Sequence, residues 1–224
     1  MSDAPIRVLL VDDHAVVRAG YRHLLARDCR IQVIGEAADA QTAYLAYYKL
    51  APDVVVMDIA LPGASGIEAV RRIVARDDRA RVLMFSMYED AIFAARALQA
   101  GARGYLTKRS GPDALVEAVL ALARGERYFS REVAQALALR AEVTPREIGG
   151  DLSVREFEIL QMLVGGTPLN EIASRLRLSE KTVANYQSTI KQKLGVSNAI
   201  QLVHKAWQLG LVSDRLAVGA QPGG

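Results

Sequence analysis

The sequence predicts a doubly wound α/β domain on a five-stranded parallel sheet, followed by a smaller all-α domain of four helices. Three observations carry that expectation. Up to about residue 125, short β-rich apolar runs alternate with helical patterns. Runs such as VLLV and VVVM are apolar throughout, as strands covered on both faces are. From Asp151 onward every apolar repeat has helical spacing. A chain of 224 residues can bury two modest cores.

In order, the first domain reads as five β/α units. IRVLLV leads to AVVRAGYRHLLA, IQVIGEA to AQTAYLAYYKLA, DVVVMDI to GIEAVRRIVA, RVLMFSM to IFAARALQA, and GYLTK to PDALVEAVLALAR. Residues 129–150 read as a short helix and then a polar stretch broken by Pro145, Gly149 and Gly150, which suggests a connector between domains 1–128 and 151–215. Ser153-Val154-Arg155-Glu156 has the form of a capping box, so a helix is expected to start there and run to Gly165-Gly166. Further helices are expected at about 169–176, at about 180–194 with Ser179 as N-cap, and at about 199–209. The tail 216–224 has no pattern and is expected to be mobile.

Composition narrows the function classes. No apolar run is long enough to span a bilayer, and the start MSDAPIR lacks the basic-then-apolar order of a secretory signal, so no membrane partner is expected. One cysteine, Cys29, cannot close an internal disulfide, and His14, His23 and His204 have no metal-ligand spacing. A reducing cytoplasm is the expected compartment. The net charge of +3 is mild, but residues 175–193 hold Arg175, Arg177, Lys181, Lys191 and Lys193 against Glu180 alone, which favours an anionic partner there.

In doubly wound sheets, functional residues gather at the carboxyl ends of strands. Asp12, Asp13, Asp58, Ser86 and Lys108 all stand at such ends. Three converging carboxylates repel one another unless a cation neutralises them, and hard oxygen donors suit Mg²⁺. A carboxylate nucleophile, a metal, a hydroxyl and an ammonium are the parts that phosphoryl transfer requires.

The DD pair, the Asp of MDIALPGASG, the Ser of FSM, and the Tyr and Lys of GYLTK resemble the receiver domain of response regulators over roughly residues 5–125. The resemblance implies a flavodoxin-like fold in which Asp58 is the phosphoacceptor for a sensor histidine kinase. It implies Mg²⁺ bound directly by Asp13 and Asp58, through water by Asp12, and by the backbone carbonyl of Ala60. Ser86 and Lys108 would bind the phosphoryl oxygens, and Tyr105 would be the switch residue. The chain departs from the pattern twice: Arg109 follows Lys108 where many receivers have proline, and the bulky Met87 follows Ser86.

In the helix expected at 180–194, Val183, Tyr186, Ile190 and Leu194 define a buried stripe. Lys181, Asn185, Ser188 and Gln192 then fall near the opposite pole, a face without carboxylates that suits the major groove. The stretch LSVREFEILQMLVGGTPLNEIASRLRLSEKTVANYQSTIKQKLGVSN is similar to the LuxR-type helix-turn-helix. Candidate DNA contacts are Lys181, Thr182, Ala184, Asn185, Ser188, Lys191, Gln192 and Lys193. Basic residues are common in relatives at the positions of Ala184, Asn185 and Ser188, and this chain has none there. On the last helix, Ala199, Leu202, Val203, Ala206 and Trp207 make one apolar stripe, and Leu202 and Ala206 are candidates for a dimer contact.

Together the two resemblances imply a NarL/FixJ-type two-component regulator of transcription. Its partners would be a sensor histidine kinase, double-stranded operator DNA, a second copy of the chain and RNA polymerase. It would be a phosphoacceptor rather than a turnover enzyme, with phosphorylation controlling dimerisation and DNA binding. Two alternatives stand beside this. An aspartyl-phosphate hydrolase shares the chemistry but places D-x-D after its first strand, where this chain has adjacent aspartates. A regulator independent of phosphorylation would keep the DNA-binding domain and ignore the pocket.

Overall fold

A computed structural model describes residues 4–89, 91–139 and 152–208. They fall into two compact units that divide between residues 140 and 141.

The first unit is a parallel sheet of β1 (Ile6–Val11), β2 (Ile31–Ala37), β3 (Val54–Met57), β4 (Val82–Ser86), β5 (Gly104–Thr107) and β6 (Tyr128–Phe129), in the order β2-β1-β3-β4-β5-β6. Its helices are α1 (Ala15–Leu25), α2 (Ala40–Leu50), α3 (Gly66–Val74), α4 (Ala91–Gln99), α5 (Pro112–Ala123) and α6 (Arg131–Leu139). Helices α1 and α5 pack together over one face, while α2, α3 and α4 follow one another over the other. Val8, Leu10, Val54, Val56, Leu83, Phe85 and Leu106 form a core with Leu115, Val119 and Leu122 of α5. The chain reverses direction across the sheet between β1 and β3, which opens a crevice at their carboxyl ends.

The sheet has six strands where five were expected. The sixth is two residues long, too short for any periodicity to announce it, and it pairs with the outer edge of β5 as Gly104↔Tyr128 and Tyr105↔Phe129. Gly104 makes the pairing possible, since a Cβ there would lie 2.6 Å from the Tyr128 carbonyl oxygen. Helix α6 then packs against α4 and β5. The start of the expected connector thus belongs to the first compact unit; residues 140–150 and the tail 216–224 lie outside the described residues.

The second unit holds α7 (Val154–Val164), α8 (Leu169–Leu176), α9 (Glu180–Leu194) and α10 (Ala199–Gln208). The capping box is present: Ser153 Oγ accepts from the Glu156 amide, and Glu156 Oε2 accepts from the Ser153 amide at 2.6 Å. Ser179 caps α9 by accepting from the Thr182 amide. Phe157, Ile159, Leu160, Ile172, Val183, Ile190, Leu202 and Ala206 are buried. Arg155 and Glu158 form a buried ion pair at 2.8 Å, and Arg155 also donates to the Leu176 carbonyl, tying α7 to the end of α8. Among the described residues no helix is long and apolar enough to cross a membrane.

Candidate phosphoryl pocket and DNA-binding helix

Asp58 follows β3 directly, and its amide donates to the Val11 carbonyl, which fixes it beside the end of β1. The loop after it folds back tightly: the Gly66 amide donates to Ile59 O, and a Cβ on Gly66 would lie 1.8 Å from the Asp58 carbonyl oxygen. Only glycine permits that approach. Asp58 is 5% exposed; its Oδ1 accepts from the Ile59 amide at 2.7 Å, and the Ala60 amide lies 3.4 Å away.

Lys108, just beyond β5, reaches across β4 to the same point. Its Nζ donates to Asp58 Oδ2 and to Asp12 Oδ2, each at 2.6 Å. Burial pushes the Asp58 carboxyl above the ordinary aspartate range, against the pull of Lys108. For Lys108, burial alone lowers proton affinity, but Asp58 and Asp12 together outweigh it and hold the ammonium charged. Asp12 Oδ1 accepts from the His14 amide, and Arg18 donates to the Asp12 carbonyl while its Nε pairs with Glu36.

The four acids and bases expected at the strand ends therefore meet, but not as one ring. Carboxylate oxygens of Asp12 and Asp13 and a nitrogen of His14 lie within 4.8 Å of one another, with His14 Nδ1 2.6 Å from Asp13 Oδ1. Asp58 joins them through Lys108. His14 was passed over because no second histidine stands at ligand spacing, although it directly follows the DD pair. Carboxylate oxygens are the donors Mg²⁺ takes, so Asp12, Asp13 and Asp58 fit that ion by chemistry.

Ser86 ends β4 and is fully buried. Its Oγ accepts from the Tyr88 amide at 3.3 Å, and its carbonyl accepts from the Lys108 amide at 2.8 Å. Tyr105, fully buried in β5, donates its hydroxyl to the Tyr88 carbonyl at 2.7 Å. One residue, Tyr88, therefore bonds both Ser86 and Tyr105, and its ring stacks on Phe93 of α4 at 4.3 Å. Met87, next to Ser86, is 59% exposed, and Arg109, next to Lys108, lies 3.3 Å from Glu89. A narrow cleft lined by Leu10, Arg18, Tyr21, Val56 and Phe85 reaches Asp12 and Asp58 from the α1 side.

In the second unit, Arg177 takes the left-handed conformation at the end of α8, and the turn to α9 follows in two residues. Lys181, Asn185, Ser188 and Gln192 are all exposed along α9, while Thr182, Ala184 and Lys191 are half-buried. Thr182 is tied to the N-cap by a 2.8 Å contact with Ser179 Oγ, and the Ser188 hydroxyl donates back to the Ala184 carbonyl.

Lys193 is exposed, and its Nζ lies 2.7 Å from Glu156 Oε2, bracing α9 against the cap of α7. One expectation changes. Leu202 and Ala206, expected at a dimer contact, are buried in the domain's own core, at 2% and 0% exposure. The outward apolar side chains of α10 are Ile200, Val203 and Trp207.

Comparison with known proteins agrees with both halves. Residues 8–120 match the response regulator receiver domain, and residues 151–206 match the bacterial regulatory proteins of the luxR family. The response regulator UvrY of Escherichia coli (strain K12) is 37% identical over 209 residues, covering 92% of this chain and 95% of that protein. The crystal structure of ChrA, a response regulator in a heme-sensing two-component system, is 40% identical with a TM-score of 0.52, covering 93% and 99% of the two chains. RcsB from Salmonella enterica serovar Typhimurium, bound to promoter P1flhDC with the phosphomimetic BeF3-, is 26% identical with a TM-score of 0.58, covering 89% and 97%.

Proposed function

This chain belongs to the response regulators that join a receiver domain to a LuxR-type DNA-binding domain, and on that premise we propose that Asp58 accepts a phosphoryl group from a sensor histidine kinase and thereby controls how the second domain engages operator DNA. The observation that carries this reading is the 2.6 Å contact of Lys108 with Asp58 at the ends of β5 and β3, with Ser86 at the end of β4 between them. A buried carboxylate held by an ammonium beside a hydroxyl is equipped to become an acyl phosphate.

In that reaction an Asp58 oxygen forms a bond to phosphorus as the bond from phosphorus to the kinase imidazole breaks. Lys108 stays charged and follows the negative charge from the carboxylate to the phosphoryl oxygens. Ser86 Oγ accepts from the Tyr88 amide, which leaves its own proton for donation to a phosphoryl oxygen. Asp12, Asp13, Asp58 and the Ala60 carbonyl would hold Mg²⁺, which supplies charge neutralisation between the acids and the incoming group. The chain gains one phosphoryl group per copy and is a phosphoacceptor, not a turnover catalyst.

In the second domain, Lys181 and the half-buried Lys191 would meet phosphates while Asn185, Ser188 and Gln192 meet base edges, with Thr182 and Ala184 against the backbone. A homodimer on paired half-sites, sited in the cytoplasm and able to contact RNA polymerase, completes the proposal. Residues 140–150 are proposed as the connector between the two domains. Mg²⁺-dependent phosphate incorporation into wild type and Asp58→Asn, with genome-wide mapping of both proteins' binding sites, tests it. Incorporation is expected only in wild type, and operator occupancy is expected to fall in the variant. Catalytic turnover of a free phosphoester, or unchanged occupancy, would overturn it.

A further inference from the structure

The segment β6–α6 lies where the pocket's internal bonds lead. Tyr105 carries its hydroxyl to the Tyr88 carbonyl and its own carbonyl to the Ser130 amide at 3.1 Å, and Ser130 immediately precedes α6. Tyr88 in turn holds Ser86 through its amide and α4 through the stacked ring of Phe93. A continuous path of hydrogen bonds therefore runs from Ser86 through Tyr88 and Tyr105 to Ser130, the residue before the last helix of this unit, with a branch through the Tyr88 ring to α4. Tyr105 pairs with Met84 of β4 and so points to the sheet face opposite the α5 core, the face that carries α4 and, packed on it, α6.

The docking of β6–α6 is built in, yet small. Gly104 leaves the space that the Tyr128 carbonyl fills. Among its described side chains, helix α6 buries Val133 fully and Ala136 and Leu137 partly, and the others are exposed. A helix held by one buried valine, two partly buried side chains and a two-residue strand opens at low cost compared with the sheet behind it. Tyr105 is fully buried on the sheet face that carries α4 and α6, so an outward swing of its ring must displace part of that layer.

We propose that β6–α6 is a hinged cover on the switch tyrosine, closed more firmly when the pocket is phosphorylated, and that its closure is what the connector to the DNA-binding domain reads. This rests on the proposed phosphorylation of Asp58. A phosphoryl group that draws Ser86 inward pulls the Tyr88 amide with it, holds Tyr105 inward through the Tyr88 carbonyl, and so keeps the Ser130 amide on β5. Linkage makes the effect reciprocal: loosening the cover must weaken the phosphorylated state of the pocket by the same factor.

The test is hydrogen exchange on the full chain, with and without Mg²⁺ and beryllofluoride, in wild type, Val133→Ala and Val133→Asp. Fluorine resonance of bound beryllofluoride first establishes that the pocket takes the group; failure there overturns the proposed function and not merely the cover. With the pocket loaded, amides of residues 129–139 in wild type are expected to slow about tenfold, within the usual range of coupling between sites. Val133→Ala is expected to exchange faster in both states, and Val133→Asp to lose the dependence on beryllofluoride, with the exchange of β1 and β3 unchanged as the check that the sheet is intact. Beryllofluoride affinity should fall in the same order. Loaded wild type with unaltered exchange over 129–139, or a Val133→Asp chain with an intact sheet and wild-type affinity, overturns the cover.

Discussion

Lys108 and Asp58 stand 2.6 Å apart at the ends of β5 and β3, and the same ammonium lies 2.6 Å from Asp12. One cation thus compensates two carboxylates, each under a tenth exposed. Removing it leaves like charges facing one another in a desolvated site. Lys108→Met is expected to lower receiver stability by about 3–5 kcal/mol, the usual cost of breaking a buried pair. Added Mg²⁺ should raise the melting temperature of the variant more than that of wild type, because the ion replaces the missing charge. Thermal melts with and without Mg²⁺ check this; equal shifts in both proteins would count against the pairing.

The Glu156 carboxyl is held below the ordinary glutamate range: burial works against this, but Lys193 and the Ser153 amide and hydroxyl outweigh it. A depressed carboxylate stabilises the fold at any pH above its unfolded value and loses that contribution as pH falls through the folded one. Glu156→Gln is therefore expected to destabilise the second domain by about 1 kcal/mol at pH 7, the scale of a lost cap. The gap to wild type should close on acidification below the ordinary glutamate value of 4.5. Trp207 is the only tryptophan and sits in this domain, so its fluorescence during denaturant unfolding reads the difference directly.

On the exposed face of α9, Lys181 and Asn185 should behave differently. Lys181→Ala is expected to weaken binding to all DNA sequences alike and to flatten its salt dependence, as loss of a phosphate contact does. Asn185→Ala should cost about 1–3 kcal/mol on the preferred site and relax the choice of base at one position. Titrations on specific and scrambled duplexes separate the two, and identical profiles would mean that another face meets the DNA.

Helix α10 offers a contrast between its two sides. Leu202→Ala is expected to cost about 2–5 kcal/mol of domain stability, because it empties a core position. Ile200→Asp, at a side chain 82% exposed, should leave stability almost unchanged and reduce self-association on DNA. Unfolding curves together with sedimentation of the protein–DNA complex distinguish these outcomes; full-strength pairing by Ile200→Asp would place the dimer contact elsewhere.

Much of this was legible in the sequence because strand ends carry their own signature. Apolar runs that stop at Asp12, Asp58, Ser86 and Lys108 put those groups on one rim whatever the loops do. The relations that were not legible are those between distant elements. Nothing local indicates that Lys193 meets Glu156, 37 residues away, rather than solvent. The stripe Ala199, Leu202, Val203, Ala206 and Trp207 is a true helical period, but periodicity cannot divide a broad stripe between core and surface. Strand β6 was missed because two residues have no period, and the short helix expected after it was assigned to the connector because its pattern offers few apolar positions to dock on the sheet.

The pairing of Lys193 with Glu156 bears on how the protein would search a genome. An unengaged lysine on the proposed recognition helix would attract every stretch of duplex equally, target or not. With its charge shared with the Glu156 carboxylate, this one would add less to that sequence-blind attraction, the term that sets affinity for non-cognate sites against residence at the operator. The ratio between those two affinities, not the tightness of either, decides how few copies per cell suffice to keep a target occupied.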